Sequence, residues 1–139
     1  MIGNLAIFWP MIAQGFLTLG VYGVLLARRS RAVRGGAGME TFRLAGAEPE
    51  ASSSASRNVA NQFELPVLFY AATLALYVTN GASWLAVAIS WLFVVSRLVH
   101  AAVHLGPNRV SQRFAAFAVG FAAVTLLWVL FALHLLGLA

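Results

Sequence analysis

Four long apolar stretches, separated by one polar segment and two short breaks, organise the chain. The first runs from about Leu5 to Ala27 and ends directly in Arg28-Arg29-Ser30-Arg31; the others cover about 58–79, 84–105 and 110–138. At about 1.5 Å of rise per residue, each is long enough to cross a hydrocarbon core of roughly 30 Å. The only long hydrophilic stretch is about 30–56, where Gly35-Gly36-Ala37-Gly38 and Ser52-Ser53-Ser54 read as flexible chain. A short interfacial helix around Met39 to Leu44 is left open by the pattern. Asn80-Gly81-Ala82-Ser83 and Gly106-Pro107-Asn108 make the two tight connections. These elements predict an all-α membrane protein with a single domain over 1–139. Its architecture is an antiparallel bundle of four transmembrane helices with both termini on one side.

Polar residues inside the apolar stretches carry the chemical information. Arg57, Asn61 and Glu64 fall at i, i+4 and i+7 of the second stretch, which puts them on one face of an unbroken helix. Arg97, His100 and His104 repeat the device in the third, and Arg113 lies one turn into the fourth. Glu64 falls roughly 10 Å past Arg57 and Arg97 roughly 12 Å inward from Leu105, so antiparallel neighbours bring the two to similar depth. An unpaired charge there is costly, and the expectation is a buried Glu64–Arg97 ion pair. Gln14 and Thr18 present a polar edge inward on the first helix, which Pro10 is expected to kink. Gly15, Gly20 and Gly23, and Ala116 with Gly120, offer small surfaces for close helix packing, including contacts between subunits.

Composition fixes the class. Of 139 residues, 61% are hydrophobic and 9% charged, with mean hydropathy +0.85; a soluble fold of this size has no interior large enough for so much apolar surface. The net charge of +5 comes with no Lys and no Asp. Every arginine lies in or beside the first or third connection, while the second turn carries no charge. The positive-inside rule therefore places the long loop in the cytoplasm and both termini outside, and the expected location is a bacterial inner membrane. The basic balance is thus a topological signal and not a sign of nucleic acid. The first stretch lacks a basic n-region and reads as a retained anchor. With no Cys, any thiol chemistry uses a thiol brought by a substrate. His100 and His104 with Glu64 would supply three metal ligands, but arginines crowd the same face and no metal is expected. No internal repeat points to a transporter.

Taken together, Arg57, Asn61, Glu64 and Pro66 resemble the second-helix pattern Arg-x-x-x-Asn-x-x-Glu-x-x-Pro of the MAPEG family, membrane-associated proteins in eicosanoid and glutathione metabolism, with the proline one position early. Arg97, His100, His104, Leu105 and Gly106 are similar to the family's third-helix pattern Arg-x-x-His-x-x-x-Tyr-Leu-Gly, and Arg113 falls nine residues past His104, as the fourth-helix arginine does past the tyrosine. The resemblance covers nearly the whole chain. It implies a homotrimer that binds glutathione as co-substrate between subunits near the cytoplasmic face. Asn61 and Glu64 would hold its backbone and amino group, His100 would line the site, and Arg113 would face the thiol as the catalytic residue. Arg28 or Arg29 would also contribute, and Arg57, Arg97 and His104 complete the cofactor-binding set. Arginine forks bind carboxylates and favour the nucleophilic thiolate over the thiol, while a lipophilic electrophile or hydroperoxide would arrive from the bilayer. This chain departs from the pattern at His104, which replaces the tyrosine, and at Ala60, Phe114 and Phe117, which replace polar residues. A second reading therefore stands beside the first: a non-catalytic membrane protein whose stripe binds an anionic lipid headgroup or another small anion, or holds subunits together.

Overall fold

The computed structural model describes residues 4–43 and 47–138, so the Leu44 end of the interfacial helix left open above lies outside the described residues. Five α-helices follow one another: α1 (Phe8–Arg34), α2 (Glu50–Asn61), α3 (Leu65–Val78), α4 (Trp84–Leu105) and α5 (Val110–Leu135). A 3-10 turn at Leu5–Ile7 precedes α1, capped by Asn4, whose Oδ1 accepts the Ala6 N–H at 3.0 Å. Another 3-10 turn, Met39–Phe42, lies in the long connection. Because α2 and α3 form one path from Glu50 to Val78, four helical segments are long and apolar enough to cross a membrane.

The ends of these helices differ from the hydropathy pattern for local reasons. α1 continues past Ala27 to Arg34, since Arg31 and Arg34 sit in its last turn, where cations complement the helix dipole. Gly36, at φ +96°, then turns the chain in a conformation few other residues adopt. Pro10 falls in the first turn of α1, where a missing N–H removes no intrahelical bond, so the expected kink has no cause. The Ser52-Ser53-Ser54 run, expected to be flexible, lies inside α2. Ser52 and Ser54 are buried there, the Ser54 hydroxyl donating to the His104 carbonyl at 3.1 Å, and this packing overrides their weak helix propensity.

The largest departure is a break at 62–64. Pro66 has no N–H to give the Gln62 carbonyl, and its ring obstructs a continuous helix at that point. Glu64 accordingly leaves helical geometry (φ −100°, ψ −102°), and Pro66 becomes an early residue of α3. Phe63 in the break packs edge-on against Tyr22 of α1.

α5 runs along α4 and α3, and α1 along α2 and α4. The core is apolar, with Phe69 and Phe93 stacked at 4.4 Å and Leu76, Leu127 and Ile7 fully enclosed. A polar chain crosses it: Gln14 donates to Gln62 (3.0 Å), Gln62 to Asn58 (3.1 Å), and Asn58 to the Ala101 carbonyl (3.3 Å). These bonds tie α1, α2 and α4 together at a depth where an unmade hydrogen bond is expensive. Ala116 and Gly120, expected on an outer packing surface, are instead buried within the chain; a Cβ on Gly120 would lie 2.7 Å from the Ser96 hydroxyl of α4. Gly20 and Gly23 face open space. The outer surface is apolar, with Trp9, Phe16, Leu19, Trp84 and Leu135 all exposed, as lipid contact requires.

Candidate functional site

At the arginine-rich end, a cavity of about 450 Å³ opens between α2, α4 and α5. Helix α2 lines it with Arg57, Ala60 and Asn61, α4 with His100 and His104, and α5 with Val110, Arg113, Phe114 and Phe117. One turn of helix separates His100 from His104, so both imidazoles point the same way, their centroids 5.8 Å apart and nearly perpendicular. The ring of Phe117 lies 6.2 Å from that of His100.

Hydrogen bonds define what each wall has left to offer. His100 Nδ1 lies 3.1 Å from the Arg113 carbonyl. A carbonyl only accepts, so this contact places a proton on Nδ1 and, in the neutral ring, leaves Nε2 as a bare acceptor. His100 Nε2, both ring nitrogens of His104 and Nε of Arg97 are buried without a hydrogen-bond partner among the described residues. Four such atoms at one end of one bundle are unusual, because buried polar groups are ordinarily paired. Arg113 is held in place by Nη1 donating to Asn108 Oδ1 at 2.9 Å. Arg57 spans the rim, donating to Ser53 Oγ at 2.7 Å and to Glu50 at 2.8 Å.

Other residues singled out by the sequence lie elsewhere. Arg97 sits behind the lining, nearly fully buried, with Nη2 donating to the Asn61 carbonyl at 3.0 Å. Glu64 is exposed on the outside of the single chain, and among the described residues no ion pair joins it to Arg97. The expected Glu64–Arg97 pair therefore does not close to ion-pair distance within the chain: Glu64 lies in the break before Pro66 and not on an unbroken helix with Arg57. Arg28 binds two carbonyls, Ala51 at 2.8 Å and Leu105 at 2.6 Å, clamping the start of α2 to the end of α4 beside a separate cavity of about 650 Å³. Arg29 pairs with Glu48 at 2.8 Å and lies over the Phe42 ring. The Arg29 guanidinium, by hydrogen bond first and charge second, holds the Glu48 carboxyl below its ordinary range.

Sequence pattern alone missed the structural role of Asn58 and Gln62. Their spacing of four puts them on one face with each other, but one helical step from the Arg57–Asn61 stripe, a distinction that only the position of α1 resolves. Val110 in the cavity wall carried no signal, being one apolar residue among many. Among the described residues no group of three or more His, Asp or Glu is arranged to hold a metal ion.

No curated protein and no solved structure matches the chain. The MAPEG family does, over residues 7–133, which takes in α1 to α4 whole and α5 as far as Leu133. With four membrane-crossing segments and a match across nearly its whole length, the chain belongs to the MAPEG family.

Proposed function

We propose that this protein binds glutathione at the arginine-rich end and uses its thiolate on a lipophilic electrophile or hydroperoxide. The observation that carries the reading is the set of buried, unpartnered polar atoms of His100, His104 and Arg97 in and behind a cavity rimmed by Arg57 and Arg113. Such atoms are stabilised by a polar ligand, and the surrounding guanidinium groups select an anionic one. Asn61 supplies an amide for a peptide backbone. Glu64, exposed on the single chain, would meet the ligand's amino group where a neighbouring subunit of a homotrimer covers it, since a carboxylate facing lipid is costly. Arg28 and Arg29 are engaged within the chain and contribute by fixing the cytoplasmic loop.

In conjugation, the thiolate sulfur attacks the electrophilic carbon, a carbon–sulfur bond forms, and the leaving group departs with its electron pair. In reduction of a hydroperoxide, the sulfur takes the terminal oxygen with its hydrogen as a sulfenic acid, the O–O bond breaks, the alkoxide takes up the proton the thiol gave and leaves as an alcohol, and a second glutathione thiol displaces the hydroxyl as water to give the disulfide. Arg113 is assigned the thiolate: its guanidinium attracts the anion without taking the proton from the thiol, so none has to be returned to it. The positive-inside rule places this site on the cytoplasmic side of a bacterial inner membrane, with both termini outside.

Phe114 and Phe117 favour a second reading, in which the same polar wall holds an anionic headgroup or another small anion without catalysis. Thermal unfolding of the detergent-solubilised protein separates the two, because a ligand at 100 times its Kd stabilises by about 2.7 kcal/mol. Stabilisation by millimolar glutathione and turnover of a hydrophobic electrophile are expected. Arg113→Ala should lose most of that turnover at saturating glutathione, whereas Arg113→Lys, keeping charge but not the planar fork, should retain part. No thermal shift with glutathione would reject the enzyme reading, and full activity in Arg113→Ala with loss in His100→Ala or His104→Ala would reverse the roles.

A further inference from the structure

A second feature lies on the opposite side of α1 from the clamp made by Arg28. A groove of about 510 Å³ runs between the last turns of α1 and the Met39–Phe42 turn. Leu26, Val33 and Met39, all exposed, give it an apolar floor, and Phe42 closes one side beneath the Arg29 guanidinium. Ser30 and Arg34 supply the polar end. Along α1 the step from Leu26 to Ser30 is about 6 Å and from Leu26 to Arg34 about 12 Å. A headgroup layer is roughly 5–8 Å deep on each side of the hydrocarbon core, so steps of this size lead from acyl chains into headgroups. Leu26 thus gives the groove an apolar inner end and Ser30 and Arg34 put polar groups one and two turns further out, with Val33 and Met39 apolar beside them.

Its charge balance selects the headgroup. The acids that the structure describes nearby are already engaged: Glu40 with Arg43, Glu48 with Arg29 and Glu50 with Arg57. Among the described residues Arg34 has no carboxylate partner, so the groove carries about one uncompensated positive charge. A phosphodiester with no amine brings one negative charge, whereas a zwitterionic headgroup brings a cation of its own toward Arg34. We infer that this groove binds one anionic phospholipid, its phosphate on Arg34 and Ser30 and the first part of an acyl chain along Leu26, Val33 and Met39. The bound lipid would pin the long loop to the membrane surface through the Met39–Phe42 turn.

The test is mass spectrometry of the intact protein released from micelles holding equal amounts of phosphatidylglycerol and phosphatidylcholine. Wild type should retain phosphatidylglycerol preferentially, and Arg34→Gln should lower that preference about fivefold, the size expected for one arginine near an anionic surface. Arg34→Lys should keep most of it, and Arg109→Gln, at the start of α5 and outside the groove, should leave it unchanged. Met39→Ser should weaken retention of both lipids. Equal retention in wild type, or an undiminished preference in Arg34→Gln, would overturn the inference. Displacement of the lipid by millimolar glycerol phosphate would also overturn it, by showing a site for free phosphate.

Discussion

Replacing Glu64 by Gln should scarcely change the stability of the subunit, although sequence pattern alone says the opposite. A buried Glu64–Arg97 pair losing one partner would cost about 3–5 kcal/mol, which at about 3 °C per kcal/mol for a chain of this size lowers the midpoint by roughly 10 °C or more. The structure instead leaves Glu64 exposed and ties Arg97 to the Asn61 carbonyl at 3.0 Å. An exposed carboxylate that makes no ion pair among the described residues contributes less than about 1 kcal/mol, or roughly 3 °C. Arg97→Met should behave in the other sense. Arg97 is 1% exposed with Nε unpartnered, so the cation is only partly repaid for leaving water. A methionine of similar length removes that cost, and the subunit should be unchanged or more stable by about 1–4 kcal/mol, while affinity for an anionic ligand falls. Thermal unfolding followed by tryptophan fluorescence in detergent reads the stability, and the oligomeric mass recorded alongside separates loss of folding from loss of assembly. A drop of 10 °C in Glu64→Gln at unchanged mass, reversed by adding Arg97→Met, would refute this reasoning and restore the ion pair.

Two further outcomes follow from close contacts elsewhere. Gly120→Ala places a Cβ 2.7 Å from Ser96 Oγ, whose hydroxyl is committed to the Phe93 carbonyl at 2.6 Å, so overpacking should cost about 1–3 kcal/mol. Adding Ser96→Ala should recover most of that loss in the same thermal measurement, and no recovery would mean that the backbone, not the hydroxyl, sets the limit. Because Arg29 holds the Glu48 carboxyl below its ordinary value of 4.5, the stabilisation it gives the loop is complete above that pH and fades as the pH falls further below it. Amide exchange over residues 47–53 should therefore accelerate in acid relative to a Glu48→Gln variant, whose exchange should lack this pH step; parallel profiles would show that the pair does not anchor the loop.

How far the sequence was legible depended on whether a single helix decided the matter. Hydropathy delimits four membrane segments because lipid makes the same demand of every residue in a span. The end of α1 at Arg34 was harder to read, since arginines that end an apolar run are themselves good helix formers and extend the helix beyond it. His100 and His104 were brought together correctly by spacing, because α4 is unbroken from Trp84 to Leu105. Glu64 was misplaced because the same counting was carried across Pro66. The proline was visible in the sequence, and the principle that it interrupts a helix applied at Gln62, two residues before the carboxylate whose direction it changes. The packing of Ala116 and Gly120 against α4 rather than on an outer face had no such signal, because a small residue looks the same on either side of a helix.

One short segment, α2, serves two purposes through two of its faces. Asn58 and Gln62 turn inward to continue the hydrogen bonds from Gln14, while Arg57 and Asn61 turn toward the cavity. The cavity itself is divided: α2 and α4 give it a polar wall, and Val110, Phe114 and Phe117 of α5 an apolar one, with Val110 and Phe114 exposed on the single chain. Loss of hydroxyl donors on α5 removes hydrogen bonds that would steady an oxygen-rich substrate. The thiolate of the proposed function would still be held, because the attraction between an anion and a guanidinium such as that of Arg113 strengthens as the surroundings become less polar. Under the proposed function, the apolar wall therefore shifts preference toward electrophiles with little oxygen near the reacting carbon, and Phe117→Tyr should widen acceptance toward oxygenated ones. The ratio of kcat/KM for an apolar and a hydroxylated electrophile in that variant tests the division directly: an unchanged ratio would mean that α5 does not touch the second substrate.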